Sequence, residues 1–276
     1  MNTVTFPLLN LELNINKVAF TILGVPIYWY AILIVASLAL AIFLCKRKDG
    51  KYKIKYDDII DLSIILIPVA FICARLYYVI FNLKSYTNFA SILNIKDGGL
   101  AIYGGIIGGA IVIYFFCKKK NIKMLDLLDY IVPYLALGQS IGRWGNFINV
   151  EAYGTTTNLP WKMGIKTLNG LEYVHPTFLY ESICTFIIFI ILIQISNNRK
   201  FSGQIVYAYL ILYSFIRFFI EGLRIDSLMF ADFRISQIVS VVLFTIFSII
   251  YYKNVKKLNK GPLATNDYNL KDNNWK

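Results

Sequence analysis

The side chains in this sequence best suited to chemistry are arginines with carboxylates and amides close by. Arg143 is followed by Asn146, Asn149 and Glu151. Arg217 precedes Glu221 by four residues and Arg224 by seven, which puts all three on one helical face. Glu181 and Arg75 each stand in an apolar run. A guanidinium is a planar fork that can grip two oxygens of a phosphate or a carboxylate. Arg217 and Glu221 could instead simply neutralise each other, as i,i+4 pairs do. On that face two arginines meet one glutamate, leaving a charge that wants an anion. Other chemistries lack their residues. The single histidine, His175, rules out a histidine-rich metal site. Cys45, Cys73, Cys117 and Cys184 form no close pair, which argues against disulfides and a thiolate metal site.

The elements that position these groups are apolar. Of 276 residues, 57% are hydrophobic and 16% charged, and mean hydropathy is +0.58. An ordinary soluble domain is roughly 25% charged. The composition excludes a disordered chain, a collagen-like fibre and a small disulfide scaffold, and points to a polytopic helical membrane protein. Runs near 24–45, 59–81, 101–117, 125–142, 176–195, 204–221 and 236–252 read as seven membrane spans. The fourth is the weakest, interrupted by Asp126, Asp129, Pro133 and Gln139. The first makes a poor signal peptide, because a basic cluster follows the apolar run and none precedes it. Residues 46–57, 118–123, 196–203 and the tail after 252 hold 6 + 4 + 2 + 6 = 18 of the 28 Lys and Arg. The positive-inside rule then places the N-terminus outside and the C-terminus in the cytoplasm. The net charge of +12 is thus a topology signal, and no nucleic-acid-binding signature accompanies it.

With that orientation, Arg75, Arg143, Asn146, Glu151, Glu181, Arg217, Glu221, Arg224 and Gln237 gather in or at the outer half of the membrane. Asp126, Asp129 and Gln204 stay near cytoplasmic helix ends. Buried ionisable groups are costly in lipid, so the asymmetry suggests a polar cavity open to the outer leaflet. Five of the seven arginines are in that outer region, while lysine dominates the cytoplasmic loops. Such a cluster fits the headgroup of an anionic phospholipid.

Three segments stand out. GGLAIYGGIIGG (98–109) has small-xxx-small pairs at Gly104/Gly108 and Gly105/Gly109, which favour close helix packing. Tyr103 there is either a functional phenol or a member of the interfacial aromatic belt. GQSIGRWGNFIN (138–149) flanks Arg143 and Trp144 with glycines that let a ligand approach the backbone. Its bland alternative is an interfacial cap with a snorkelling arginine. HPTFLYE (175–181) opens the fifth span with Pro176 and carries Glu181 inward; His175 reads more simply as a capping residue. In the external loop 143–175, Asn169-Gly170 between strand-like runs predicts a hairpin, hence a small β element. Residues 1–260 read as one membrane-embedded domain and 261–276 as a disordered cytoplasmic tail.

GGLAIYGG, GQSIGRWGNFINVEAYG, HPTFLYE and RFFIEGLR, in this order and spacing, resemble the motifs of the bacterial prolipoprotein diacylglyceryl transferase family, from about Tyr28 to Gln237. The resemblance implies a seven-span inner-membrane enzyme whose site faces outward. It would move the diacylglyceryl group of phosphatidylglycerol to the thiol of a lipobox cysteine in a prolipoprotein signal region, releasing glycerol 1-phosphate. It carries no cofactor. By the same resemblance Arg143 matches the lipid-binding arginine, Asn146 and Gly154 lie in the signature, and Arg217, Glu221 and Glu181 fall on further polar motif positions. Tyr30 matches a tyrosine of the first span. Asn149, Arg75 and Arg224 complete the substrate-binding candidates. Many members have histidine where this chain has Tyr103, so the acceptor of the thiol proton stays open between a carboxylate, Tyr103 and water. The competing classes are an anion transporter, disfavoured by the odd span count and absence of a two-half repeat, and a non-catalytic lipid-binding scaffold.

Overall fold

A computed structural model describes residues 2–83, 86, 88, 91–92, 98–167 and 170–260. The expected tail, 261–276, and Asn169 of the expected turn lie outside them. The described residues hold seven long helices: α1 (Trp29–Cys45), α2 (Tyr56–Phe81), α3 (Ile102–Lys120), α4 (Met124–Asn149), α5 (Thr177–Asn197), α6 (Gln204–Leu223) and α7 (Ile235–Lys260). Six of them are long and apolar enough to cross a membrane; α4 is the exception. The protein is mostly helical and of the polytopic membrane type.

The reason α4 fails on composition is its place in the bundle. It packs against α1, α5 and α6 and buries Leu127, Asp129, Tyr130, Val132, Pro133, Tyr134, Ala136 and Leu137 along its length. A helix ringed by protein has little lipid-facing surface to keep apolar, so it can carry the polar residues. The helix ends fall into two groups. At the lysine-rich end Tyr130 Oη donates to the Cys45 carbonyl at 2.6 Å, Lys48 Nζ to Ser196 Oγ at 2.8 Å, and Lys120 Nζ sits 2.9 Å from both Asp58 and Asp61. At the other end lie Arg143, the start of α5 and the end of α6.

The glycines of α3 act in packing. A Cβ on Gly104 would sit 2.3 Å from the Cys73 carbonyl oxygen, and one on Gly108 2.6 Å from Cys73 Cβ, so α2 and α3 are in backbone-close contact.

The expectation of an all-helical chain with one β element needs correcting. Among the described residues there are eight strands: β1 (Asn2–Phe6), β2 (Leu11–Ile15), β3 (Val18–Ile22), β4 (Val25–Tyr28), β5 (Met163–Thr167), β6 (Gly170–Val174), β7 (Met229–Phe230) and β8 (Phe233–Arg234). The β5–β6 hairpin is the element read from the sequence, but Gly170 pairs with Thr167, so it belongs to the strand and not to the turn's centre. It joins the N-terminal hairpin in an antiparallel sheet of order β2-β1-β5-β6. That sheet rests on the helix ends through Val4, Met163, Ile165 and Val174, packed with Phe147 and Phe178.

The first helix starts at Trp29, later than the apolar run, because 25–28 is strand β4. Strands β3 and β4 make a separate hairpin, with Ile22 opposite Val25 and a two-residue turn of Leu23 (φ 48°) and Gly24 (φ 79°). Both turn residues are left-handed, which costs about 1–2 kcal/mol for a leucine.

Candidate active site

Arg143 stands on α4 and projects towards α5. Its Nη2 lies 2.5 Å from Glu181 Oε1, and its Nη1 donates to Asn146 Oδ1 at 3.1 Å. Arg217 on α6 reaches the same carboxylate from the other side, Nη1 donating to Glu181 Oε2 at 3.2 Å. Its Nη2 lies 2.5 Å from Glu221 Oε2 as an ion pair that lacks hydrogen-bond alignment. Tyr213, one turn before Arg217, donates to Glu181 Oε1 at 3.2 Å. One acid therefore holds two guanidiniums brought by two other helices. Glu181 and Glu221 are each 2% exposed, while the side chains of Arg143 and Arg217 keep 20% and 19%. The acids are the buried partners and the arginine side chains the more accessible ones.

Around this pair the backbone comes close. A Cβ on Gly145 would lie 2.1 Å from Tyr30 Cδ2, so the ring of Tyr30 rests on α4 two residues from Arg143. Asn146 and Asn149 donate to Glu151 Oε1 at 2.8 and 3.3 Å. The chain leaves α4 through Val150 (φ 53°) and Ala152 (φ 54°), both left-handed and not glycine. Strain of this kind clusters at functional sites.

Gly154 lies in a backbone crossing. Its N–H donates to the His175 carbonyl at 3.0 Å, Thr155 N–H donates to Leu223 O at 2.8 Å, and a Cβ on Gly154 would meet His175 Cβ at 2.7 Å. Only glycine fits where the head loop is pinned between the start of α5 and the end of α6. His175 is half-buried in this knot, 3.3 Å from Tyr180 Oη, and burial lowers its pKa.

Other candidates stand apart from the cluster. Arg75 is buried and donates to the carbonyls of Ser91, Ile92, Gly98 and Gly99 at 2.8–3.1 Å, bracing the segment between α2 and α3. Arg224, expected to seek an anion, has one in Asp226, gripped by Nε at 2.9 Å and Nη2 at 2.7 Å. That hydrogen bond lowers the Asp226 pKa. Tyr103 is 51% exposed and its ring neighbours Tyr77 on α2; among the described residues it makes no contact with the arginine–glutamate cluster. Arg234 Nη1 donates to the Glu221 carbonyl. No group of three His, Cys, Asp or Glu that could hold a metal ion occurs among the described residues.

Sequence reasoning missed Tyr213, although its spacing of four from Arg217 puts it on the same face. It also missed Asp226, two residues beyond Arg224.

The arrangement can hold an oxyanion against two fixed cations. The sequence pattern of the family described as prolipoprotein diacylglyceryl transferase matches residues 17–253. The phosphatidylglycerol–prolipoprotein diacylglyceryl transferase of Finegoldia magna is 48% identical over 248 residues, covering 89% of this chain and 98% of the relative. The protein of the same name from Clostridioides difficile is 46% identical over 250 residues, 90% of this chain and 99% of the relative. That from Bacillus cereus is 40% identical over 258 residues, 90% and 95%. With the match running through all seven helices, the chain belongs to the prolipoprotein diacylglyceryl transferase family.

Proposed function

We propose that the chain transfers the diacylglyceryl group of phosphatidylglycerol to the lipobox cysteine thiol of a prolipoprotein and releases glycerol 1-phosphate, the first step of lipoprotein maturation. The observation that carries this reading is the pair Arg143 and Arg217, fixed by one buried carboxylate while their side chains keep 20% and 19% exposure. The thiol must lose its proton to attack. Sulfur then bonds to the glycerol carbon that bears the phosphate, that C–O bond breaks, and the electron pair leaves on the phosphate. Negative charge grows there, where two guanidiniums stabilise the transition state more than the ground state. Both oxygens of Glu181 already accept hydrogen bonds, so its geometry supports orienting the arginines. Tyr30, Asn146 and Asn149 border the phosphate position, and Glu221 braces Arg217.

In the reading proposed here, residues 1–260 form one domain with seven spans, α4 included, in the cytoplasmic membrane. The N-terminus and the arginine cluster face the extracytoplasmic side and the lysine-rich end faces the cytoplasm, by the positive-inside rule. The partners are phosphatidylglycerol, the prolipoprotein signal region and the bilayer. The test uses purified protein, phosphatidylglycerol and a lipobox peptide with a free cysteine, reading peptide mass and glycerol 1-phosphate. A diacylglyceryl mass gain that Arg143→Ala abolishes is the expected result. Folded protein that gives no mass gain with accepted substrates would overturn it in favour of lipid binding or transport.

A further inference from the structure

The β3–β4 hairpin presents an apolar face on which Phe20, Ile22, Val25 and Ile27 lie together by register. In a strand pair with one side in water, alternate positions turn polar. Here the run Phe20 to Ile27 has Thr21 as its one polar side chain. Exposure is high on both strands: Phe20 50%, Ile22 54% and Val25 43%. The tip is the least expected part. A two-residue turn with both residues left-handed ordinarily takes Asn-Gly or Gly-Gly. This one takes Leu23, which is 99% exposed. A leucine in that conformation, facing water on all sides, would be unfavourable twice over. An apolar surrounding removes one of the two penalties.

The base of the hairpin is tied to the start of α1. Strand β4 ends at Tyr28 and α1 starts at Trp29 with no residue between, so the finger continues from the end of an apolar, membrane-length helix. Trp29 N–H donates to the Lys17 carbonyl at 3.1 Å, closing the hairpin base onto the helix start. Tyr28, Trp29 and Tyr30 are a run of partly exposed aromatics of the kind that sits at the membrane–water boundary. The next contact inward is Tyr30 on Gly145, beside Arg143.

We infer that residues 18–28 form a lipid-inserted finger. Leu23, Phe20, Ile22 and Val25 bind the acyl region of the leaflet that borders the Arg143 site, so the chain holds bulk lipid there in addition to any lipid in the cluster. The occupant is the bilayer, because the patch is continuous with the lipid-facing surface of α1 and carries no charge.

The experiment places the photo-crosslinker p-benzoylphenylalanine at position 23 of the full chain in vesicles of phosphatidylglycerol and phosphatidylethanolamine, without acceptor peptide. Position 12 on β2 is the aqueous control and position 65 on α2 the lipid control. Irradiation should add the mass of one phospholipid at 23 and 65 and nothing at 12. If the tip variant folds poorly, position 25, in ordinary strand conformation, takes its place. Label at 65 with none at 23 or 25 would overturn the inference, as would a cross-linked pair of chains in place of a lipid adduct. The readout does not depend on transfer, so it stands or falls separately from the transferase reading.

Discussion

Two ionic knots tie the opposite ends of this bundle, and they differ in how much of the cation stays exposed. At the lysine-rich end Arg199 is 8% exposed and Asp129 fully buried. Asp129 accepts from the backbone N–H of Gly203, Ile205 and Val206 at 2.7–2.9 Å as well as from Arg199 Nε at 2.7 Å. Its companion Asp126 takes the other edge of the guanidinium and the Ser202 hydroxyl. Every strong group there is consumed in fastening α4 to the start of α6. At the other end the acids are buried and the arginine side chains keep 20% and 19% exposure. A carboxylate saturated by backbone donors has finished its work in the fold. A carboxylate behind a half-open guanidinium holds that cation out for a second anion. What separates the two knots is how much of the cation stays accessible.

The contrast is sharpest under arginine removal. Arg199→Ala leaves Asp129 buried without its cation and should cost about 3–5 kcal/mol of stability, read as a fall in unfolding temperature, with turnover of the folded fraction unchanged. Arg143→Ala should do the reverse, lowering kcat/KM by about 10²–10³ with little change in unfolding temperature. If Arg143→Ala unfolds the protein, or Arg199→Ala abolishes turnover without loss of stability, the distinction fails. Glu181→Gln turns one accepting oxygen into a donor that faces a guanidinium. Its kcat should fall by up to about 10²-fold through misplacement of the forks, with KM changed less. Asp226→Asn removes a half-exposed pair worth about 0.5 kcal/mol. Because Arg224 holds the Asp226 carboxyl below its ordinary value of 3.8, that contribution is present above this value and disappears as pH falls through the folded pKa. The difference in unfolding temperature between wild type and variant should therefore vanish in acid and persist at neutral pH. Tyr103→Phe should leave turnover unchanged, since the phenol stands outside the cluster; a large fall would bring Tyr103 into the chemistry and extend the site beyond the two arginines.

Much of this was legible in the residues. The apolar runs located all seven helices, with ends off by as much as eight residues where polar turns continue α4 and α7, and α4 stood out as the interrupted one for the same reason that it is central. The density of polar groups around Arg143, Glu181 and Arg217 pointed to their clustering, because lipid tolerates such groups only with partners. The hairpin at 18–28 was invisible to hydropathy, since an apolar strand pair running into an apolar helix reads as one span. Arg199 was absorbed into the topology charges, and its two aspartates looked like interruptions, because the partners lie 70 and 73 residues apart. Arg75 and Arg224 were expected to seek an outside anion. Carbonyls of a distant loop and Asp226 satisfy them instead, and nothing in spacing alone distinguishes a braced arginine from an open one.

The four interlocked side chains of the site, Arg143, Arg217, Glu181 and Glu221, carry two positive and two negative charges. Seen from a distance they cancel, and what remains is a dipole layer with its positive face outward. The field of a dipole decays faster than that of a monopole, so the site exerts little pull beyond its first contact and has little for salt to screen. A soluble anion would gain almost no steering from it. A ligand already confined to the leaflet needs none, because diffusion in two dimensions brings its headgroup to the arginines at fixed depth. The sharing of one buried carboxylate thus suits the site to a ligand delivered by the membrane and makes it a poor trap for the phosphates dissolved around it.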